Sequence, residues 1–237
     1  MTKVGILGAQ GKMGQQMIAL LKAGTFPNLA FHNGFTPKTD KTYPTLNTEN
    51  IQNIDVLIDF TEKNATLSYL DLFQKSKKSL VIGTTGFTQE EISRIEAISQ
   101  FCPIVFAPNM STGVNVLFDL VARASQLLPR TFSPQVLEIH HPHKKDAPSG
   151  TALKLQEEIL RACSTQDDNN VPIQSFRGGD VIGEHTVFFL ADGERIELTH
   201  RATNRDIFAR GALQAAQWVV KQNPGFYSMK DVLENQR

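Results

Sequence analysis

Apolar positions over the first half of the chain fall into two alternating rhythms. Short, nearly unbroken runs read as strands buried on both faces: Val4-Gly5-Ile6-Leu7, Leu29-Ala30-Phe31, Asp55-Val56-Leu57-Ile58-Asp59-Phe60, Leu80-Val81-Ile82-Gly83 and Ile104-Val105-Phe106-Ala107. Between them the period is helical. Met13, Met17, Leu20 and Leu21 share one face, with Gly24 as a C-terminal stop. A helix-like stretch covers 63–76, and Thr88-Gln89-Glu90-Glu91 is a capping box opening another helix. Apolar strands joined by amphipathic helices predict an α/β fold, a Rossmann-like doubly wound parallel sheet. Such sheets bind ligands beyond the carboxyl ends of their strands.

The rhythm changes after about Asn109. A long helix over 112–128 precedes a strand at 135–140, and a second helix begins near Ser149. Strands at 184–190 and 195–200 flank Ala191-Asp192-Gly193-Glu194, where Asp-Gly marks a hairpin. This half reads as α+β with a mainly antiparallel sheet. Val187-Phe188-Phe189-Leu190 lacks polar alternation, which predicts burial of both strand faces, one under a helix and one against a neighbouring subunit. A last helix over 206–221, carrying Ala212, Ala215, Ala216 and Trp218, resumes the earlier style and is expected to rejoin the first half. The polar stretch 164–170 reads as a surface loop.

Composition narrows the classes. Lys plus Arg and Asp plus Glu both total 24 in 237 residues, and a formal charge of zero argues against a broad nucleic-acid surface. Cys102 and Cys163 form no CxxC pair and are expected to be buried, inert thiols rather than a disulfide framework. Met1-Thr2-Lys3 runs straight into an apolar strand without a signal-peptide profile, and no apolar run approaches the ~20 residues of a membrane span. A cytoplasmic protein that binds neither membrane nor nucleic acid is expected.

Two kinds of segment carry chemistry. Gly8-Ala9-Gln10-Gly11-Lys12-Met13-Gly14, at the first strand–helix turn, is G-x-x-G-x-x-G, with Gln10 at the usual second glycine. Small residues permit a tight turn, and N–H groups at the helix start point at a pyrophosphate. Glycine also serves such turns for steric reasons alone. The acid expected after the second strand is missing from His32-Asn33-Gly34-Phe35-Thr36-Pro37-Lys38, and Lys38 or Lys41 would attract a 2′-phosphate. NADH and/or NADPH is the expected cofactor. Gly83-Thr84-Thr85-Gly86 and Ala107-Pro108-Asn109-Met110 also follow apolar strands, either as contacts to the nicotinamide half or as ordinary βα loops.

The second kind is Glu138-Ile139-His140-His141-Pro142-His143-Lys144-Lys145-Asp146-Ala147-Pro148-Ser149-Gly150-Thr151-Ala152. Imidazoles and ammonium groups cluster here just before a helix start, where Ser149 is a natural N-cap and Gly150 and Thr151 offer N–H groups to a carboxylate. Lys144 and that helix start would clamp an anion, with imidazoles placed for proton transfer. A solvated basic loop is the plainer alternative. A zinc site on His140, His141 and His143 is disfavoured, because adjacent strand residues face opposite ways and lysines oppose a dication. No metal is expected.

The segment resembles the signature of the dihydrodipicolinate (4-hydroxy-tetrahydrodipicolinate) reductase family, E-x-H-H-x-x-K-x-D-A-P-S-G-T-A. The likeness continues through the G-x-x-G-x-M-G start, Asp59-Phe60-Thr61, Val81 to Phe87, Asn109 to Asn115, Gly183-Glu184-His185-Thr186 and His200-Arg201-Ala202. The resemblance implies NAD(P)H-dependent reduction of a cyclic dicarboxylate on the route to diaminopimelate and lysine, by a homotetramer built through the second domain's sheet. It implies His140 and Lys144 as the proton-transfer pair, and His141, Lys144, Gly150 and Thr151 as carboxylate holders. Gly8, Ala9, Gln10, Gly11, Lys12 and Met13, with Gly83, Thr84, Thr85, Ala107, Pro108, Asn109 and Met110, would hold the dinucleotide. The expected partition is 1–109 with 207–237 for the dinucleotide and 110–206 for substrate and oligomerisation. Two rival classes remain: a reductase of an aldehyde or aspartate-like acid, and a non-catalytic nucleotide-sensing module.

Overall fold

The computed structural model describes residues 1–38, 41–162 and 171–234, so Cys163 and the expected loop at 164–170 lie outside the described residues. The chain divides into two compact units, Met1–Met110 with Asp206–Arg237, and Ser111–Arg205. Through the first unit run β1 (Thr2–Leu7), α1 (Lys12–Lys22), β2 (Leu29–Phe35), β3 (Val56–Asp59), α2 (Lys63–Ser68), α3 (Leu70–Ser76), β4 (Ser79–Ile82), α4 (Gln89–Ile98) and β5 (Pro103–Phe106). The second unit holds α5 (Thr112–Leu127), β6 (Ser133–His140), α6 (Gly150–Ala162), β7 (Ile173–Arg177), β8 (Gly183–Ala191) and β9 (Glu194–Ala202). The chain then returns to the first unit with α7 (Asp206–Val219), β10 (Gly225–Tyr227) and α8 (Met229–Glu234).

The first sheet runs β2-β1-β3-β4-β5-β10, with every neighbouring pair parallel. Successive side chains on each strand go to opposite cores. Val4, Ile6, Val56, Ile58, Val81 and Val105 join Met17 and Leu21 of α1 and the alanines of α7. Leu57, Leu80, Ile82 and Ile104 join Leu70, Phe73, Ile95 and Ile98 from α3 and α4. Unbroken apolar strands therefore reflect a sheet covered on both faces. Strand order reverses at β1/β3, and that switch point is where the glycine turn leaves β1.

Helix ends follow the sequence closely. Thr88 and Glu91 form the reciprocal capping box of α4, and Gly24 takes φ +69 beyond α1. The single helix expected over 63–76 is instead broken at Tyr69, whose φ −99 and ψ 0 separate α2 from α3 while its ring stacks on Phe73. The second strand runs on to Phe35, past the Leu29-Ala30-Phe31 run. Neither β7 nor β10 has an apolar run long enough to announce it. They are held by pairing to β6 and β5.

In the second unit the sheet runs β7-β6-β8-β9, parallel only between β6 and β7. Val136, Val187 and Phe189 pack under Leu117 and Val121 of α5 and Leu155 and Ile159 of α6. The apolar run on β8 is not buried on both faces within one chain. Val187 and Phe189 are buried, Phe188 is half-buried and Leu190 is 37% exposed, so burial alternates although hydrophobicity does not.

In the first unit α7 lies very close to the backbone before the first crossing. A Cβ added at Gly211 would stand 1.7 Å from the carbonyl oxygen of Met110. Gly211→Ala is expected to cost about 1–3 kcal/mol or more through overpacking against backbone that cannot yield. Gly150→Ala, where an added Cβ meets nothing within 4 Å, should stay within about 0.5 kcal/mol of wild type. Paired denaturant titrations measure both; equal midpoints would show that the α7 contact is not restrictive.

Candidate active site

At the carboxyl edge of the first sheet, β1, β3, β4 and β5 end side by side. Gly8 turns the chain at φ +89, and a Cβ there would come within 2.7 Å of the Phe60 carbonyl oxygen. Gly14 is restricted equally: its Cβ would sit 2.3 Å from the Gly8 oxygen. The helix is thus drawn hard against the strand turn. Its N-cap, Gly11, has no side chain to satisfy the first-turn N–H groups, and Gln10, Gly11 and Lys12 are exposed. An uncapped helix start at a switch point suits a pyrophosphate. These residues fit a dinucleotide.

The other expected cofactor residues fall on the same edge, but not all in the same way. Gly83 passes under the Phe60 ring, 2.3 Å from where its Cβ would be, Thr84 is buried and Thr85 is exposed. Pro108 is exposed and Asn109 and Met13 are half-buried. Ala9, Ala107 and Met110 belong to the apolar core, so any contact from them is made by backbone. After β2, Thr36 is buried and donates its hydroxyl to the Lys38 carbonyl, while Lys38 and Lys41 stay exposed.

Asp59, which the sequence places at the end of an apolar strand and within the family likeness, braces this edge. Its buried carboxylate accepts hydrogen bonds from the Thr61 amide and hydroxyl at 3.0 and 2.6 Å, from Thr66 at 2.7 Å and from Thr84 at 3.3 Å. Burial raises its pKa against those bonds. The ends of β3 and β4 are thereby tied together. An acid in an apolar strand was the available signal.

In the second unit the signature is spread over three elements. Glu138 and His140 lie on the helix-covered side of β6, and the Glu138 side chain is fully buried. Its Oε2 meets His140 Nδ1 in a short contact. Oε1 accepts from Arg177 Nη2 of β7 at 2.8 Å and from the Ser149 amide at 3.3 Å. Burial would raise the Glu138 carboxyl, but Arg177, Ser175 and His140 hold it below its usual range. His140 is lowered by burial, with Lys144 and Arg177 adding to that and Glu138 opposing it. His185 on β8 stands edge-on to His140 at 5.1 Å between ring centroids, and burial with His140 pushes it down to about 3. It is therefore a neutral ring, bonded through Nε2 to Ser149 Oγ at 3.1 Å.

Ser149 caps α6 as expected, its hydroxyl accepting the Ala152 amide at 3.2 Å. Lys144 pairs with Asp146 at 2.8 Å, and the Asp146 carboxylate also takes the Gly150 amide. Partial burial opposes ionisation of Asp146, but Lys144 and the Asp146 and Gly150 amides hold its pKa down. A carboxylate thus already sits where Lys144 and the start of α6 converge. Thr151 follows it on the first turn. His141 leaves β6, bonds its amide to the Val181 carbonyl at 2.7 Å and meets Arg205 through Nε2 at 3.1 Å. Its Nδ1 is buried without a partner among the described residues. Arg177, which the sequence reading missed, joins Glu138 to the Asp146 carbonyl at 2.6 Å. It lies in a short polar strand that periodicity does not mark.

Metal ligation would draw on a different trio from the one the sequence offered. Glu138, His140 and His185 bring one ligand-type atom each within 4.8 Å of one another, a group that includes neither His141 nor His143. Arg177 already supplies the cation on that carboxylate, and Lys144 adds to the positive field felt by His140, so a dication is opposed there.

Two family models match, dihydrodipicolinate reductase N-terminus over residues 2–110 and C-terminus over 113–233. A 4-hydroxy-tetrahydrodipicolinate reductase of Geotalea uraniireducens is 39% identical over 98% of this chain and 99% of its own. Its counterpart in Aquifex aeolicus is 46% identical over 76% of this chain and 73% of its own. Among solved structures, a dipicolinate-bound dihydrodipicolinate reductase from Paenisporosarcina sp. TG-14 has a TM-score of 0.81 at 23% identity, covering 96% of this chain and 97% of that one. An aspartate semialdehyde dehydrogenase II from Vibrio cholerae reaches only 0.53 at 13% identity, over 93% of this chain and 99% of that one. Likeness at those identities is one of fold. The family models and the curated relatives carry more, and by them the chain belongs to the dihydrodipicolinate reductase family.

Proposed function

We propose that this chain reduces 4-hydroxy-tetrahydrodipicolinate to tetrahydrodipicolinate with loss of water, using NADH or NADPH, in diaminopimelate and lysine biosynthesis. The observation that carries the reading is the Lys144–α6 anion site beside the Glu138–His140 pair, within a chain whose first unit has an uncapped glycine turn at its switch point. When bound, the nicotinamide supplies a hydride. The first unit holds the dinucleotide by its phosphates at Gly8 to Met13, with Gly83 to Thr85 and Ala107 to Met110 completing the site. In the second unit, Lys144, His141 and the amides of Gly150 and Thr151 hold the two substrate carboxylates, one of them replacing Asp146 on Lys144. His140 and Lys144 polarise the ring and deliver the proton that balances hydride addition. Exposed Lys38 and Lys41, with no acid at the end of β2, favour acceptance of a 2′-phosphate, so both cofactors are used.

The same reading extends to assembly and compartment. One side of the β6–β9 sheet carries Phe176, 57% exposed, and Leu190, 37% exposed, with half-buried Leu137, Ile139 and Phe188 between them. A second copy of the chain would cover this face, in a homotetramer built sheet to sheet. Among the described residues no helix is long and apolar enough to cross a membrane, and Cys102 is a buried free thiol. The reading places the enzyme in the cytoplasm, where it draws on the reduced nicotinamide pool.

Consumption of nicotinamide absorbance on adding enzymatically generated substrate tests the activity, run in parallel with NADH and NADPH. Lys144→Ala should lose roughly 10²–10⁴-fold in kcat with dinucleotide affinity unchanged. Near-normal turnover in that variant would overturn the assignment. Replacing Phe176 and Leu190 together by Glu should convert the assembly to smaller species in analytical ultracentrifugation. A wild-type chain that sediments as a monomer at micromolar concentration would refute the tetramer.

A further inference from the structure

We propose that Glu138 is a positioning residue for proton transfer: its carboxylate holds His140 in the Nδ1–H form, leaves Nε2 as the nitrogen that exchanges the proton, and offsets the charge of the imidazolium formed. This rests on the reading that His140 exchanges a proton during reduction, and it deepens that reading by naming what equips His140 to do so.

The geometry assigns each oxygen a separate task. Oε2 faces His140 Nδ1, and a fully buried, ionised carboxylate can only accept there, so Nδ1 must carry hydrogen. Oε1 faces Arg177 Nη2 and the Ser149 amide, which fix the carboxylate from β7 and from the start of α6. With Nδ1 committed, only Nε2 remains to gain or lose a proton. Nε2 rests beside Gly183, where an added Cβ would come within 2.9 Å of it, so the ring is also held sterically from β8.

Electrostatics make the carboxylate necessary as well as orienting. His140 is 6% exposed, and burial disfavours the imidazolium. The groups facing it are Glu138 on its own strand, Arg177 from β7, His185 from β8 and Lys144 from the following loop. Arg177 and Lys144 are cations and His185 is a neutral ring, so Glu138 is the one anion among those four. Proton uptake at Nε2 converts a neutral imidazole beside a carboxylate into an ion pair. Proton release to the substrate restores the neutral ring, and no redox partner is needed. The second carboxylate oxygen is shared with Arg177, so the arginine tempers the effect of Glu138 on the ring.

That sharing predicts shifts of opposite sign, which a merely structural role would not produce. Glu138→Gln keeps the shape and removes the anion, and the His140 imidazole should then titrate lower by at least about one pH unit. Arg177→Gln removes the competing cation, so His140 should titrate higher than in wild type. Where an unpaired Arg177 prevents Glu138→Gln from folding, the double variant Glu138→Gln/Arg177→Gln removes both charges, and His140 should again titrate below wild type. Histidine-labelled protein followed by NMR against pH reads all three without turnover, with His140 assigned through His140→Gln. In steady state, kcat of Glu138→Gln should fall about 10–100-fold, with substrate KM changed less than threefold and the descending limb of the kcat profile moved to lower pH with the His140 titration. Were the two single substitutions to shift His140 in the same direction, or the double variant to titrate as wild type, the positioning role would be wrong. A chain showing the predicted titrations but no nicotinamide oxidation in any variant would retain the Glu138–His140 coupling and lose the reductase reading instead.

Discussion

The Glu138 carboxylate is buried without access to water, and a buried anion left without partners is unstable by several kcal/mol. Its donors come from three elements: His140 two residues on along β6, the Ser149 amide at the head of α6, and Arg177 on β7. Satisfying one carboxylate therefore brings the end of β6, the start of α6 and an edge strand into one arrangement. The loop between them, carrying Lys144 and Asp146, is pinned by the same guanidinium through the Asp146 carbonyl. The chemical end of the second unit is organised around this charge.

A comparable constraint shapes the first unit, with sterics in place of charge. Gly8 and Gly14 let strand and helix approach until no Cβ would fit, and this closeness presents the first turn of α1 at the point where strand order reverses. Asp59 works behind that edge. By collecting Thr61, Thr66 and Thr84 it fixes two adjacent strand ends, leaving Thr85 exposed as the loop's outward residue. Both units thus set one buried acid beneath the surface they present, and in both the acid orders neighbouring segments through hydrogen bonds.

Much of this was legible from periodicity. Strands with both faces buried show as continuous apolar runs, as β1, β3, β4 and β5 do. Turn and cap chemistry is local, so Gly24, the Thr88–Glu91 box, the Asp192–Gly193 turn and Ser149 could be read one by one. Hydrophobic pattern does not say which neighbour covers which face. The run from Val187 to Leu190 looks alike on both sides, yet only one side is covered within the chain, because only one side faces α5 and α6. Tyr69 interrupts the expected helix at φ −99 and ψ 0, with its ring stacked on Phe73.

By itself the sequence determined the types of the strongly patterned elements, the glycine turn, the basic segment and, through the length of its signature, the family resemblance. Those properties reside in neighbouring residues and their spacing. Tertiary structure decided which distant groups meet: Arg177 on Glu138 and on the Asp146 carbonyl, His185 on Ser149, and Thr84 on Asp59. A hydrogen bond requires its partners within about 3 Å, and separations of 23 to 39 residues along the chain, as for Thr61–Thr84 and Glu138–Arg177, are closed only by strand pairing and helix packing.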